Sequence, residues 1–274
     1  MGRTILLLML LAASSAWAQS PEERAYLAER DRAITALEKK YDVEEYKRVS
    51  DALEARLRRI VGPVAPPRGF ALPGHFSPDT LCCGVGAGKL DGIAFAASDD
   101  TQGTVIVTTE SLLLHWLGEQ KMPTPPESAL RSGGFYTKAI VGDAAVDTFA
   151  FLPIAKPASA TVAVAALALA SQGGALWPPR EIAVSVLKGG KAYVAFVEAK
   201  PLPEPIAACE AVLEDFQDKT KAMYAAGKSD DASRIAAEGE TAYVDCWRTH
   251  AKDDPAFPGF VRQAQALADA LVGE

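Results

Sequence analysis

Apolar side chains recur every three or four residues through the first helical stretch of the chain. Leu27, Ile34, Leu37 and Tyr41 share one face of a helix, and Tyr46, Val49, Leu53, Leu57 and Ile60 share one face of a second. Each helix has a start signal. Ser20-Pro21-Glu22-Glu23 is a capping box with proline at the first helical position, where a missing N–H costs nothing. Asp42-Val43-Glu44-Glu45 repeats the capping pattern, so the two helices form a hairpin. Gly62-Pro63-Val64-Ala65-Pro66-Pro67 stops the second, because proline cannot continue a helix and biases its predecessor towards extended backbone.

The period then changes from helical to alternating. Ile93, Phe95 and Ala97 begin a hairpin that turns at 99–103 and returns at 104–109, and a short helix over 111–117 ends at Gly118. Segments 135–141, 144–154 and 161–170 have strand length. Segments 182–187 and 192–197 flank Lys188-Gly189-Gly190-Lys191, whose central glycines suit a primed turn. With the glycines as the loop, Ile182, Val184 and Val186 oppose Val197, Ala195 and Tyr193 on one buried face. Val162 and Val164 differ in parity from Leu167 and Leu169, which predicts a bulge near Ala165 if only one face is buried. The expectation is seven strands and one helix, as a sandwich or a curved sheet.

Helical periodicity resumes after Pro201-Leu202-Pro203-Glu204-Pro205. Ile206, Cys209, Leu213, Phe216, Thr220 and Met223 step by three and four, as do Ala232, Ile235, Gly239, Ala242, Cys246 and Thr249. The turn at Gly227 to Asp230 lies midway between Cys209 and Cys246, so an antiparallel hairpin sets these cysteines opposite one another and predicts a disulfide. A last helix buries Phe260, Ala264, Leu267 and Leu271. The fold class is therefore α+β, an antiparallel β domain flanked by N- and C-terminal helical hairpins that pack as one bundle. The expected division is a leader at 1–18, a helical hairpin at 19–62, a β-rich domain at 63–202 and a helical segment at 203–274.

The leader reading comes from Arg3, the apolar run Ile5 to Ala13 and Ala16-Trp17-Ala18, the pattern of a secretory signal cleaved after Ala18. The run is shorter than the roughly 20 residues that span a bilayer, so no transmembrane segment is expected after cleavage. The chain is expected in the periplasm or outside the cell, where disulfides persist. Charge adds a second exclusion. Acidic residues outnumber basic ones 14 to 7 from Pro201 onwards, and no basic stripe offers a phosphate backbone a footprint, so nucleic acid is not an expected partner. From Glu22 to Arg59 the signs balance and interleave, as on a solvated helical face.

Candidate chemistry concentrates between His75 and Asp91. Gly84, Gly86, Gly88 and Lys89 resemble neither phosphate-binding loop. A Walker loop would need glycine at Cys83 and Ser or Thr at Leu90, and the segment leads into a strand rather than a helix. His75, Cys82 and Cys83 lack the spacing and number of a structural zinc site, so no metal and no cofactor is expected. A vicinal Cys82–Cys83 disulfide would be strained. No G-x-S-x-G elbow is present, and of three histidines His115 follows Ser111 on a short helix while His250 ends one. His75 is the best lone candidate for catalysis, with Asp79 and Asp91 able to orient it. Cys82, Cys83 and Lys89 are candidate binding residues in the same loop.

Taken together, these features predict an exported binding or assembly protein of the cell envelope, whose partner is a protein or a small-molecule ligand. A small hydrolase using His75 is the competing expectation.

Overall fold

The computed structural model describes residues 19–40, 42–71, 90–97, 103–117, 130, 149–168, 171–172, 175–176, 181–201 and 204–273. Among them are six α-helices, one open antiparallel sheet of seven strands and a separate two-stranded ladder. Helices α1 (Pro21–Lys39) and α2 (Val43–Val61) form the first hairpin. Strands β1 (Phe70–Ala71), β2 (Ile93–Ala97) and β3 (Gly103–Thr109) follow, then α3 (Glu110–Leu117). Strands β4 (Phe149–Leu152), β5 (Val162–Ala168), β6 (Ser171–Gln172), β7 (Ala175–Leu176), β8 (Glu181–Lys188) and β9 (Lys191–Glu198) come next. The chain ends with α4 (Ala207–Ala225), α5 (Ser229–His250), a short 3₁₀ turn (Ala251–Asp253) and α6 (Phe257–Val272).

The helix start signals act as read. Ser20 and Glu23 form the reciprocal capping box of α1, and the Asp42 carboxylate caps α2 by accepting from the N–H groups of Glu44 and Glu45. Leu27, Leu37, Leu53 and Leu57 are buried, whereas Ile34, Tyr46, Val49 and Ile60 are partly covered at the edge of the same cluster.

The main sheet runs β1-β2-β3-β9-β8-β5-β4, with β6 and β7 as a separate two-residue ladder. Six of the expected strands are present within it. The expected strand 135–141 lies outside the described residues, and the two-residue β1 occupies the edge beside β2. The β8–β9 hairpin has the register read from its glycines: Ile182 pairs with Val197, Val184 with Ala195 and Val186 with Tyr193. Gly189 and Gly190 both have positive φ, at 58° and 76°, which is what a type I′ turn demands and what a side chain would resist.

The bulge expected near Ala165 is absent. β5 and β8 pair without interruption from Val162–Leu187 to Ala168–Glu181. The reason is that this part of the sheet is buried on both faces. Leu167 and Ala165 point into one apolar cluster with Val184 and Val186, while Val164 and Ala166 point into another with Ala183 and Val194. A parity change therefore exposes nothing, and the strand has no cause to kink.

The larger cluster lies beneath the helices. α2 packs on β2 and β3, α6 packs on β8, β5 and β4, and α5 reaches β4 through Tyr243, Val244 and Trp247. The expected bundle of the two helical ends is not confirmed, since the sheet is the principal neighbour of each end. The smaller cluster on the opposite face is covered by α3 and Leu130. Complete burial of a large apolar side chain contributes about 1.5–3 kcal/mol, and Phe260, Leu271, Leu53 and Leu57 are buried in the larger cluster beneath the helices.

Two side-chain amides fasten α6 to the sheet side. Gln263 accepts from the Lys200 N–H and donates to the Glu198 carbonyl, and Gln265 does the same with the two backbone groups of Ala155. The distal part of the α4–α5 hairpin has α5 and α4 as each other's main neighbours. There Gly239 lies against the Phe216 side chain, and a Cβ at position 239 would stand 2.5 Å from the Phe216 Cβ. The Cys209 and Cys246 sulfurs are 2.06 Å apart, at disulfide distance, near the base of this hairpin.

Candidate functional site

One end of the sheet gathers polar groups that the sequence scatters widely. Its foundation is a stripe on α1: Glu23, Tyr26 and Arg30, spaced by three and four, face the sheet together. Tyr26 is completely buried and donates its phenolic hydrogen to Asp91 Oδ1 at 3.1 Å. Arg30 donates from Nη1 to the second Asp91 oxygen, and from Nε and Nη2 to Asp31. Asp91 is only 7% exposed. Both its oxygens are thus engaged by α1, the arrangement a buried carboxylate needs to avoid an uncompensated charge.

The residues beside Asp91 reinforce the same point. Leu90 is buried. At Gly92 a Cβ would lie 2.3 Å from the Ile106 Cγ2 and 2.8 Å from the Val107 carbonyl oxygen, so glycine lets the chain press against β3. Leu90-Asp91-Gly92 is therefore seated on α1 and β3 directly after the segment 72–89.

A second carboxylate, Glu23 of the α1 stripe, joins α1 to the junction of β3 and α3. Glu23 Oε2 accepts from the Ser20 N–H at 2.6 Å, and its Oε1 accepts from the Thr109 hydroxyl at 2.6 Å and from the Ser111 hydroxyl. Thr109 Oγ1 in turn accepts from the Leu112 N–H, capping α3. Burial pushes the Glu23 carboxyl up, but the hydrogen bonds from Ser111, Thr109 and Ser20 outweigh it and hold the group below its ordinary value. At Asp91 the balance goes the other way. Burial raises its carboxyl above the usual range, against the Arg30 charge and the hydrogen bonds from Arg30 and Tyr26. Burial and the Asp91 charge also push the Tyr26 hydroxyl up, keeping it a donor.

The β8–β9 turn lies at this same end, because Thr109 pairs with Lys191. Lys191 Nζ donates to the Pro63 carbonyl at 2.6 Å, and Lys188 Nζ donates to the Val272 carbonyl at 2.7 Å. Between the last turn of α2 and strand β2 runs a groove of about 440 Å³, lined by Arg58, Arg59, Pro63, Val64, Ile93 and Phe95.

Of the residues singled out in the sequence, His75, Asp79, Cys82, Cys83 and Lys89 lie outside the described residues. Asp91 is described, and its carboxylate is held by Tyr26 and Arg30. The Ser111 hydroxyl donates to Glu23. His250 Nδ1 lies 2.9 Å from the Asp253 carboxylate on the surface. Among the described residues no group of three or more His, Cys, Asp or Glu side chains could hold a metal ion. No helix among them is long and apolar enough to cross a membrane. The sequence reading missed the α1 stripe. The signal was there, in the helical spacing of Glu23, Tyr26 and Arg30, but it was absorbed into a charge-balanced surface.

Compared with known protein families, curated proteins and solved structures, the chain matches none.

Proposed function

We propose that the chain is an exported binding or assembly protein of the cell envelope, with its contact surface centred on the segment from His75 to Lys89. The observation that carries this reading is the capture of both Asp91 oxygens by Tyr26 and Arg30. A buried ion pair and hydrogen bond, with a glycine seat beside them, tether the chain where that segment returns to the sheet. A connector alone does not call for so costly an anchor. A scaffold that must present a segment reproducibly to a partner does.

The leader-like residues 1–18 and the paired Cys209 and Cys246 support export, since disulfides persist in oxidising compartments. The partner is a protein or a small-molecule ligand. Asp91 is committed to α1, which weakens the hydrolytic alternative in which it would orient His75. Crosslinking the exported protein in its native envelope identifies the partner. Alanine substitutions across His75 to Lys89 are expected to abolish that crosslink. A partner retained by every such variant refutes the proposed surface, and His75-dependent turnover of ester, phosphate or peptide substrates refutes the non-catalytic reading.

A further inference from the structure

We propose that the groove between the last turn of α2 and strand β2 is a binding site for a small carboxylate with an apolar body. The proposal is independent of the contact surface placed at 75–89 and of export.

The groove has a volume of about 440 Å³, towards the lower end of the roughly 300–1,000 Å³ of small-molecule sites. That size excludes a whole phospholipid but admits a medium-length acyl chain or a pair of fused rings. Its floor is Ile93 and Phe95, which stand two residues apart and so share the helix-facing side of β2. Pro63 and Val64 supply one wall as the chain leaves α2 for β1. None of these four side chains holds a donor or an acceptor, so the interior selects an apolar body. The wall is fixed before any ligand arrives. The Gly62 N–H donates to the Arg58 carbonyl at 3.0 Å, and Lys191 Nζ donates to the Pro63 carbonyl at 2.6 Å. A site held in this way loses little binding energy to its own ordering.

The rim chooses the head group. Both charged residues on the lining, Arg58 and Arg59, are cationic, and no carboxylate of the described residues lines the groove. The two arginines are unequal. Arg58 is held by Glu54, which accepts from its Nε at 2.8 Å and its Nη2 at 2.6 Å. Arg59 is exposed, and among the described residues its guanidinium has no hydrogen-bond or ion-pair partner. Basic residues suit a helix C-terminus because they offset its negative pole. That accounts for the sign of the charge, but not for a free guanidinium over an apolar groove. One free planar fork matches one carboxylate, which it can take through two parallel hydrogen bonds. A phosphate dianion would call on Arg58 as well, and Arg58 is already committed. Floor and rim together therefore select an alkyl or aryl carboxylate.

Isothermal titration calorimetry on the protein purified from its native source tests this, with decanoate and naphthoate as probes held below micellisation. Saturable binding of at least one of them is expected. Decanoate alone would identify an acyl-chain ligand, and naphthoate alone an aromatic one. Arg59→Ala is expected to weaken carboxylate binding by about tenfold or more, the size of a charge-assisted hydrogen bond. Val64→Glu sets a like charge inside the groove and is expected to abolish binding. Circular dichroism spectra and melting temperatures matching wild type show that both variants keep the fold. Absence of saturable binding by either carboxylate overturns the proposal. So does binding that both variants leave intact, which places the probe elsewhere. Decanol or decyl phosphate binding as tightly as decanoate overturns it too, because the head group would then not be read as a carboxylate.

Discussion

Tyr26 and Asp91, 65 positions apart in sequence, share a buried hydrogen bond of 3.1 Å. With Arg30 on the second carboxylate oxygen, they join the first helix to the start of β2. Removing different members of this trio should have unequal effects. Asp91→Ala removes the buried partner of both Arg30 and Tyr26 and is expected to cost about 3 kcal/mol, the lower end for a broken buried ion pair because Arg30 keeps Asp31 and some solvent contact. Tyr26→Phe removes one hydrogen bond and should cost about 1 kcal/mol. Urea midpoints of the two variants check the order, and equal losses would contradict it.

Acid should weaken the attachment of α1 to the β3–α3 junction. The Glu23 carboxyl lies below its ordinary value of 4.5 in the folded chain. Its contribution is therefore complete above pH 4.5 and is lost as pH falls through the lower, folded value. Wild type is expected to lose more stability than Glu23→Gln between neutral pH and about pH 3. Chemical denaturation of both proteins across that interval provides the comparison, and parallel curves would remove Glu23 from the acid response.

Gly239→Ala tests the α4–α5 contact. Alanine is the better helix former by about 1 kcal/mol. Against that, its Cβ would meet the Phe216 Cβ at 2.5 Å and Cγ at 2.8 Å, atoms too near the backbone to swing aside. Overpacking of this kind costs about 1–3 kcal/mol, so the variant is expected to be destabilised. A raised melting temperature would show that the helices part at no cost.

Peptide mapping under non-reducing conditions should recover Cys209 and Cys246 in one linked fragment. The bond would close a loop spanning a separation of 37 residues, for which chain entropy predicts about 4 kcal/mol of stabilisation. The double alanine variant is expected to lose most of that in a denaturant titration. Free thiols in the protein isolated from its native source would remove both the bond and its contribution.

Elements whose rules are local were legible in the sequence. Ser20 and Glu23 announce the start of α1, and Gly189-Gly190 sets the register of Ile182 against Val197 because turn and alternation agree. The bulge at Ala165 was misread because parity arguments assume one wet face, whereas Val164 and Leu167 are both buried. Tyr243 and Trp247 escaped notice because the small residues facing α4 carried the visible period of α5. The Glu23–Tyr26–Arg30 stripe was hidden for another reason. A charged residue looks solvated until its partner is known, and Asp91 lies 61 residues beyond Arg30. The segment that carries His75, Cys82 and Cys83 is the part of the reading the fold bears on least.

The order of strands has a consequence for how the chain comes together in time. Strand β9 lies between β3 and β8, so it joins the early strands to the late ones. Synthesis delivers the N-terminus first, and β3 keeps a bare edge until residues 191–198 have emerged. An unpaired edge of Val105, Ile106 and Val107 is a template for pairing with another chain. The protein is thus exposed to misassembly from the appearance of β3 until its last strand closes the gap.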